Sequence, residues 1–356
     1  MINKRDILFF ICFVVLALVS CGQQNSKKES QALFPVIQNG KFGYIDKTGK
    51  LIIKPQFDHA SKFSEGMAGV WIGNYDSGYI DNKGKIVVEP KRYYAFGSFS
   101  DGLAGVQVDN KYGYIDKTGK IVVKPQLDNI WSFSEGLARV KVGGKQGYID
   151  KTERMIINAP FEKYWDFSDG LARVKIGGKQ GYIDKTGKIV IKPQFKVAEN
   201  FSEGLALVMT GDRYFFIDKT GKIAIKPQNY YASKSFSEGL AEVFDGNNCG
   251  YIDKTGKIVI KPQFDLAWEF SDGLAMVKIG GKYGYIDKTG KIIIKPQFEM
   301  AENFSEGLAK AYIGKDYRGD WVYIDKTGKI IINPQTKEAW EVSIPPQSRA
   351  LYTSQE

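Results

Sequence analysis

The side chains that could do acid–base chemistry in this sequence are carboxylates at one recurring position. An Asp or Glu is the third residue of the string Phe-Ser-(Glu/Asp)-Gly-(Leu/Met)-Ala, which occurs at Glu65, Asp101, Glu135, Asp169, Glu203, Glu238, Asp272 and Glu306. Paired carboxylates can act as general acid and base, and carboxylate oxygens can bind calcium. The Gly that follows indicates a turn, and the Gly-Gly-x-Gly-x-Asp repeat of calcium-binding β-rolls does not occur. We predict turn or inter-unit hydrogen bonds for these acids and for the Asp of each Tyr-Ile-Asp.

Other reactive residues are scarce. His59 is the only histidine, which excludes the usual His-based triads and His-rich metal sites. The cysteines are Cys12, Cys21 and Cys249, and they provide no intramolecular disulfide framework. We predict no catalytic residue, no metal and no cofactor. A glycan-processing enzyme that uses Asp/Glu pairs is the alternative, and it requires a unit that departs sharply from the repeat.

Three tryptophans occupy one position of the repeat, two residues before its Phe. They are Trp131, Trp165 and Trp268, and other copies carry Ser61, Glu199 and Glu302 there. Variation on a fixed frame is how repeat proteins build a binding surface. One hypothesis is an aromatic platform for a glycan or a partner protein, with Asp166 and Glu269 as hydrogen-bond acceptors. The alternative is packing between units.

The N-terminus has the pattern of an export signal. Lys4 and Arg5 precede an apolar stretch, residues 7–19, that is too short to span a bilayer. It runs into Leu-Val-Ser-Cys21, which resembles the bacterial lipobox, where the cysteine is lipidated. We expect a signal peptide at 1–20 and a lipidated Cys21 with a flexible tether at 21–33; the alternative is an ordinary secretory signal. The protein would be exported and held at an envelope membrane, inner or outer, by its lipid.

The net charge of +10 could suggest nucleic acid as a partner. The lysines, however, recur at fixed places beside Asp and do not form one run. We therefore predict no nucleic-acid binding.

A repeat organises all of these residues. The string Tyr-Ile-Asp-Lys-Thr-Gly-Lys, or a close variant, begins at Tyr44, Tyr79, Tyr114, Tyr148, Tyr182, Phe216, Tyr251, Tyr285 and Tyr323. The spacing is 34 or 35 residues until the last, which is 38. A fixed period in this range is the signature of solenoids and propellers, in which one unit cannot bury its own apolar face.

The first two strands of a unit are predicted from its alternation. Residues 137–142 alternate with period two, which is typical of a half-buried strand. Gly143-Gly144, like Asn39-Gly40 in the first unit, suits a type I′ hairpin turn. Residues 146–150 form the second strand.

The third strand follows a second turn. Asp116-Lys117-Thr118-Gly119 predicts a type I turn with a left-handed Gly, and residues 120–124 form a strand that Pro125 ends. In the fourth unit Glu153 stands where that Gly is expected, so its hairpin should be strained or rearranged. The segment after the proline is too short for a helix. We expect pairs such as Phe195 and Phe201 to wedge neighbouring units together.

These elements predict an all-β array of nine three-stranded antiparallel meanders over residues 34–335, with a C-terminal cap or tail at 336–356. We favour an open, twisted β-solenoid over a closed, propeller-like array. Three strands and 34 residues fall short of the usual four-stranded blade, and nine blades exceed the typical number.

The repeated strings are similar to those of the WG-repeat (KWG-repeat) proteins, whose units look like Gly-Lys-Trp-Gly-Tyr-Ile-Asp-Lys-Thr-Gly-Lys. The resemblance covers roughly Phe34 to Gln335. The eponymous tryptophan is replaced here at Phe42, Ser77, Tyr112, Gln146, Gln180 and Tyr283, so no ligand site is carried over. The resemblance implies a bacterial β-repeat module of interaction type. The leading hypothesis is a non-catalytic, envelope-anchored scaffold that binds protein or glycan; a purely structural envelope protein is a further alternative.

Overall fold

The structure is a computed structural model that describes residues 32–332 except 74–75, 90–93, 159–160, 227–229, 233 and 315–318. Within these residues every regular element is a β-strand. The predicted signal peptide, Cys21 and the segment 336–356 lie outside the described residues.

The strands fall into nine antiparallel sheets, each formed from consecutive chain. The first four sheets consist of β1 Phe34–Gln38, β2 Lys41–Ile45, β3 Leu51–Phe57; β4 His59–Ala60, β5 Met67–Ile72, β6 Asp76–Asp81, β7 Ile86–Val88; β8 Tyr94–Ser100, β9 Leu103–Val108, β10 Lys111–Asp116, β11 Ile121–Leu127; β12 Asn129–Ser134, β13 Leu137–Val142, β14 Lys145–Ile149, β15 Met155–Asn158.

The next three sheets consist of β16 Lys163–Ser168, β17 Leu171–Ile176, β18 Lys179–Ile183, β19 Ile189–Phe195; β20 Val197–Ala198, β21 Leu205–Thr210, β22 Arg213–Asp218, β23 Ile223–Ile225; β24 Tyr231–Ala232, β25 Leu240–Phe244, β26 Cys249–Asp253, β27 Ile258–Phe264. The last two consist of β28 Leu266–Ser271, β29 Leu274–Ile279, β30 Lys282–Ile286, β31 Ile292–Phe298; β32 Met300–Ala301, β33 Leu308–Ile313, β34 Asp320–Asp325, β35 Ile330–Ile332.

Eight of the nine sheets have four strands, so the prediction of three-stranded units is wrong. The additional strand is the segment before the Phe-Ser turn, for example β12, for which the sequence predicts only a connection between units. It pairs with the strand that follows it, and its register shifts between Ile130 and Phe133. This bulge breaks the alternation by which a strand is recognised in sequence.

The third strand also differs from its prediction, because it continues through the proline. β11 includes Pro125 and reaches Leu127, which pairs with Tyr112 on β10. The register shifts between this pair and Tyr114↔Val123, so the proline lies in a bulge, where it needs no ladder partner.

The nine sheets form a closed ring, which contradicts the open solenoid. The rings of Phe34 in the first sheet and Tyr323 in the last have centroids 5.6 Å apart. Tyr323 Oη donates to the carbonyl of Pro35 at 3.0 Å. Val36, Ile45 and Leu308 complete a buried cluster shared by the two sheets. The protein is therefore a β-propeller of nine sheets. This closed array is the alternative that the sequence analysis ranks below the solenoid.

An aromatic pair fills each interface between sheets. Tyr148 in the fourth sheet is fully buried, and its ring centroid is 5.0 Å from that of Phe167 in the fifth. Its hydroxyl donates to the carbonyl of Trp165 at 2.6 Å. The predicted wedge is confirmed at the next interface, where Phe195 and Phe201 share one cluster.

The predicted turns are present. Gly143 and Gly144 have φ values of 56° and 78°, which suit a type I′ turn. Gly119 has φ 81°, and its N–H donates to the carbonyl of Asp116 at 3.0 Å. Glu153 keeps this turn with φ 66°, a left-handed value that strains a residue with a side chain. The predicted strain is observed, whereas the hydrogen bonds of the turn are not rearranged.

Candidate functional site

The first strands of the sheets adjoin one another around the centre of the ring. Ser134 Oγ donates to the carbonyl of Phe167 in the next sheet at 2.7 Å, and Ser168 Oγ does the same to Phe201. The same bond joins most other neighbouring sheets. Residues on the first strands of the second to ninth sheets therefore form one continuous inner surface, and the three tryptophans lie on it.

The recurring carboxylates hold this inner surface together. Glu135 sits at φ 54° in a two-residue turn and accepts the backbone N–H of Gly170 in the next sheet at 3.0 Å. The ammonium of Lys185 lies 3.2 Å from the same carboxylate. At the equivalent Asp169, the hydrogen bond from Lys219 lowers the pKa of the carboxyl group. The predicted turn and inter-unit hydrogen bonds are confirmed for these acids.

The Asp of Tyr-Ile-Asp is engaged in its own turn. Asp184 Oδ1 accepts from the hydroxyl of Thr186 at 2.6 Å, from its N–H at 2.9 Å and from the N–H of Lys188 at 3.1 Å. The Thr186 hydroxyl bond is the main reason why the pKa of Asp184 is lowered. A carboxylate with these partners is an acceptor for the turn, not a free general base.

Trp131 and Trp165 are half-buried on adjacent sheets, and each lies beneath an arginine. The guanidinium of Arg139 is 4.7 Å from the Trp131 ring centroid, within the range of a cation–π interaction. Arg139 also bonds Asp166 of the next sheet, with Nε 2.5 Å from Oδ1. The guanidinium of Arg173 is 4.1 Å from the Trp165 ring.

Trp268, three sheets further along, also has a cation over its ring, but this cation comes from the preceding sheet. The ammonium of Lys234 is 5.3 Å from its ring centroid and 3.7 Å from Glu269. Glu269 also accepts from the side chain of Asn303 at 2.8 Å. The structure thus places Trp131, Trp165 and Asp166 together, and Trp268 and Glu269 apart from them on the same inner surface. We call these three aromatic positions the tryptophan row.

Sequence reasoning missed the cations of the tryptophan row. The string Leu-Ala-Arg-Val occurs only at residues 137–140 and 171–174, in the two units whose first strands carry Trp131 and Trp165. Arg139 and Arg173 therefore share their unit with a tryptophan, and this coincidence was the available signal. Lys234 gave no such signal, because it lies in the sheet before that of Trp268.

One recess of the described structure lies beside the seventh sheet. Cys249 and Glu242 line it together with Lys234, and Lys234 Nζ is 3.2 Å from Glu242 Oε2. Burial raises the pKa of the Cys249 thiol to about 12. A thiol in this state is protonated near neutral pH and is a poor nucleophile.

No group of three His, Cys, Asp or Glu side chains is placed to hold a metal ion in the part of the chain that the structure describes. The same residues contain no helix long and apolar enough to cross a membrane.

The comparisons with known proteins agree with the fold. The family described as WG containing repeat matches residues 42–75, 78–112, 112–145, 147–179, 181–214, 214–249, 250–283 and 283–317. No curated protein matches the chain. A crystal structure of a eukaryotic initiation factor is similar, with a TM-score of 0.60 and 12% identity over 85% of this chain and 95% of that chain. BamB from Moraxella catarrhalis has a TM-score of 0.43 and 11% identity over 83% of this chain and 94% of its own. At 12% identity the likeness to the initiation factor concerns the fold alone.

Proposed function

This chain belongs to the WG-repeat family, and from that premise we propose that it is a non-catalytic interaction module that binds a protein or a glycan through its tryptophan row. The observation that supports this most is the variation at one position of a constant frame. The recurring Phe-Ser string beside this position is the same in each of its copies. The position itself, two residues before the Phe, carries Ser61, Trp131, Glu199 or Lys234. Repeat proteins place their binding residues in this way.

The chemistry of the tryptophan row suits a partner with flat apolar faces and polar edges. A half-buried indole offers a large contact area at a low entropic cost. Asp166 accepts two hydrogen bonds from Arg139 and is 40% exposed at its side chain, which leaves part of the carboxylate open. An aromatic ring beside such an acceptor suits the carbon face and hydroxyl groups of a sugar, or a peptide side chain.

A catalytic role is disfavoured by the engagement of the acids. The repeated carboxylates, such as Glu135 and Asp184, bond backbone N–H groups and neighbouring lysine or threonine side chains. A glycosidase needs two carboxyl groups on either side of one bond, with environments that differ. Equivalent acids around a ring all have similar environments.

The binding proposal predicts the effect of removing the tryptophan row. The triple variant Trp131→Ser, Trp165→Ser, Trp268→Ser should lose capture of envelope proteins or glycans by immobilised protein at least about tenfold, as loss of three aromatic anchors implies. Trp71→Ser is the matched control, because Trp71 lies outside the row and contacts His59. Circular dichroism should show that both variants remain folded. Unchanged capture by the triple variant would contradict the proposal, and loss of the fold would assign the rings to packing.

We also propose that the module is held at a bacterial envelope membrane through lipid on Cys21. The support is the sequence alone, in which a basic start and an apolar stretch precede Leu-Val-Ser-Cys21. Two or three acyl chains anchor a protein stably, whereas a single chain does so only marginally.

Cys21→Ala should therefore move the protein from the detergent phase to the aqueous phase in a phase-separation assay. Cys12→Ala, within the apolar stretch of the signal, is the matched control and should leave partitioning unchanged. Equal partitioning of the Cys21→Ala variant and the natural protein would refute lipid anchoring.

A further inference from the structure

Among the residues that the structure describes, the first sheet has no strand at its inner edge, where every other sheet has one. Its β1 pairs with β2 and has no partner on its other side among the described residues. In the eighth sheet that place beside β29 is taken by β28. Counting back from Tyr44 on β2 and from Tyr285 on β30, Leu33 and Phe34 correspond to Leu274 and Ala275. An open edge at the centre of a closed ring exposes a row of backbone donors and acceptors.

The neighbouring sheets face this gap with residues that elsewhere contact a first strand. A groove beside the first sheet is lined by Phe34 of that sheet, by Phe63 of the second unit and by Asn303 and Tyr323 of the last. At other interfaces the Tyr hydroxyl bonds the residue two before the Phe of the next sheet, as Tyr285 does to the carbonyl of Glu302 at 2.7 Å. Tyr323 bonds Pro35 on β1 instead.

The chain after the last described strand repeats the sequence of a first strand. Residues 335–343 read Gln-Thr-Lys-Glu-Ala-Trp-Glu-Val-Ser, and residues 263–271, which include β28, read Gln-Phe-Asp-Leu-Ala-Trp-Glu-Phe-Ser. Each follows a proline, at Pro334 and Pro262. The match ends at Ile344-Pro345, where other units need Asp-Gly or Glu-Gly to turn into the second strand.

We propose that residues 338–343 form the inner strand of the first sheet and close the ring by pairing with β1. The register of β28 on β29 transfers directly: Leu266↔Lys278 and Ser271↔Leu274 become Glu338↔Ile37 and Ser343↔Leu33. Trp340 then corresponds to Trp268 and adds a fourth aromatic position to the tryptophan row.

The charges at this interface are complementary. Arg139 on the second strand of one sheet bonds Asp166 on the first strand of the next. Lys310 occupies the position of Arg139 in the last sheet, and Glu341 occupies that of Asp166 in the proposed strand. Lys310 already lies against the interface, with its ammonium 5.7 Å from the Tyr323 ring. A carboxylate placed there would face a cation, as in the fourth and fifth sheets.

A disulfide trap tests the register in the full chain. Ile37→Cys with Glu338→Cys joins residues that face each other across the pair, at the Cα separation that a disulfide requires. Ile37→Cys with Ser343→Cys is the control, five residues out of register. Under mild oxidation we expect the first pair to cross-link within one chain at least about tenfold faster, as peptide mapping of 37–338 would measure. Equal rates, or cross-links mainly between chains, would overturn the proposal.

Two truncations give an independent test of folding. Removal of residues 344–356 keeps the proposed strand and should leave the melting temperature within about 1 °C. Removal of residues 336–356 takes the strand away and should lower it by more than about 4 °C, since an edge and an interface are exposed. Equal melting temperatures of the two truncated proteins would overturn the proposal even if the cysteine variants fail to fold.

Discussion

Deletion of one whole unit, residues 170–203, is expected to unfold or aggregate the protein at temperatures at which the natural chain is stable. The deletion joins Asp169 to Gly204 and keeps the turn and the register, so β16 would be followed by β21 in a four-stranded sheet. In an open array this loss would cost only about one unit's share of the stability. In a closed ring the eight remaining sheets can close again only if the angle between neighbouring sheets increases.

The cost of failing to close can be estimated from the interface of the first and last sheets. Phe34, Val36, Ile45, Leu308 and Tyr323 are buried there. Burial of one such side chain contributes roughly 1.5–3 kcal/mol, so exposure of this cluster costs on the order of 5–10 kcal/mol after allowance for a compact unfolded state. We expect a melting temperature lower by more than about 10 °C, measured by circular dichroism, with larger species in size-exclusion chromatography.

A unit exchange is the control for this deletion. Replacement of residues 170–203 by a copy of residues 273–306 has the same length and retains nine sheets and nearly the same sequence. Its melting temperature should stay close to that of the natural chain. A deletion variant that melts cooperatively as a monomer, only a few degrees lower, would show that the closing interface contributes little.

Local features of this fold were predictable from sequence, whereas its closure was not. The turn Asp116–Gly119 and the hairpin at Gly143-Gly144 depend on residues next to each other in the chain, and the structure has both. The inner strand was missed because its buried residues, such as Ile130 and Phe133, are three apart across a bulge. Closure depends on contacts such as Tyr323 to Pro35, which are 288 residues apart. A pattern of neighbouring residues in the sequence does not indicate such a contact.

The candidate site was predictable to a similar extent. The shared position of Trp131, Trp165 and Trp268 follows from the repeat, and their place on one surface follows from the regular ring. The pairing of Arg139 with Asp166 joins two sheets, so it could be found only after the order of the sheets was known.

Gly181→Ala is expected to destabilise the protein strongly. Gly181 on β18 faces the bulge of β19, and a Cβ there would lie 2.5 Å from Ile191 O and 2.6 Å from Pro193 N. Both atoms belong to the backbone, so the methyl group can be accommodated only if β19 moves away. Ile191 and Phe195 are almost fully buried and would lose packing as it moves.

The expected loss in the free energy of unfolding is about 2–4 kcal/mol, typical of overpacking that displaces core residues. Urea denaturation followed by tryptophan fluorescence would measure it. Gly177→Asn is the matched control in the same sheet, because Gly177 has φ +57° with open space around its Cβ. Asn39 has φ 52° at the corresponding turn of the first sheet. This change should stay within about 0.5 kcal/mol.

The sixth sheet indicates that the destabilisation by Gly181→Ala should come from the bulge of the partner strand and not from a side chain at this repeat position alone. Phe215 stands there in place of the glycine, and its partner strand β23 is described only over Ile223–Ile225, before the segment that would form the bulge. A side chain is therefore compatible with the backbone of β22, and the steric conflict at Gly181 comes from Ile191 and Pro193. If Gly181→Ala is as stable as Gly177→Asn, then β19 does not hold its bulge against β18 in solution. The close approach would then not explain the recurring glycine.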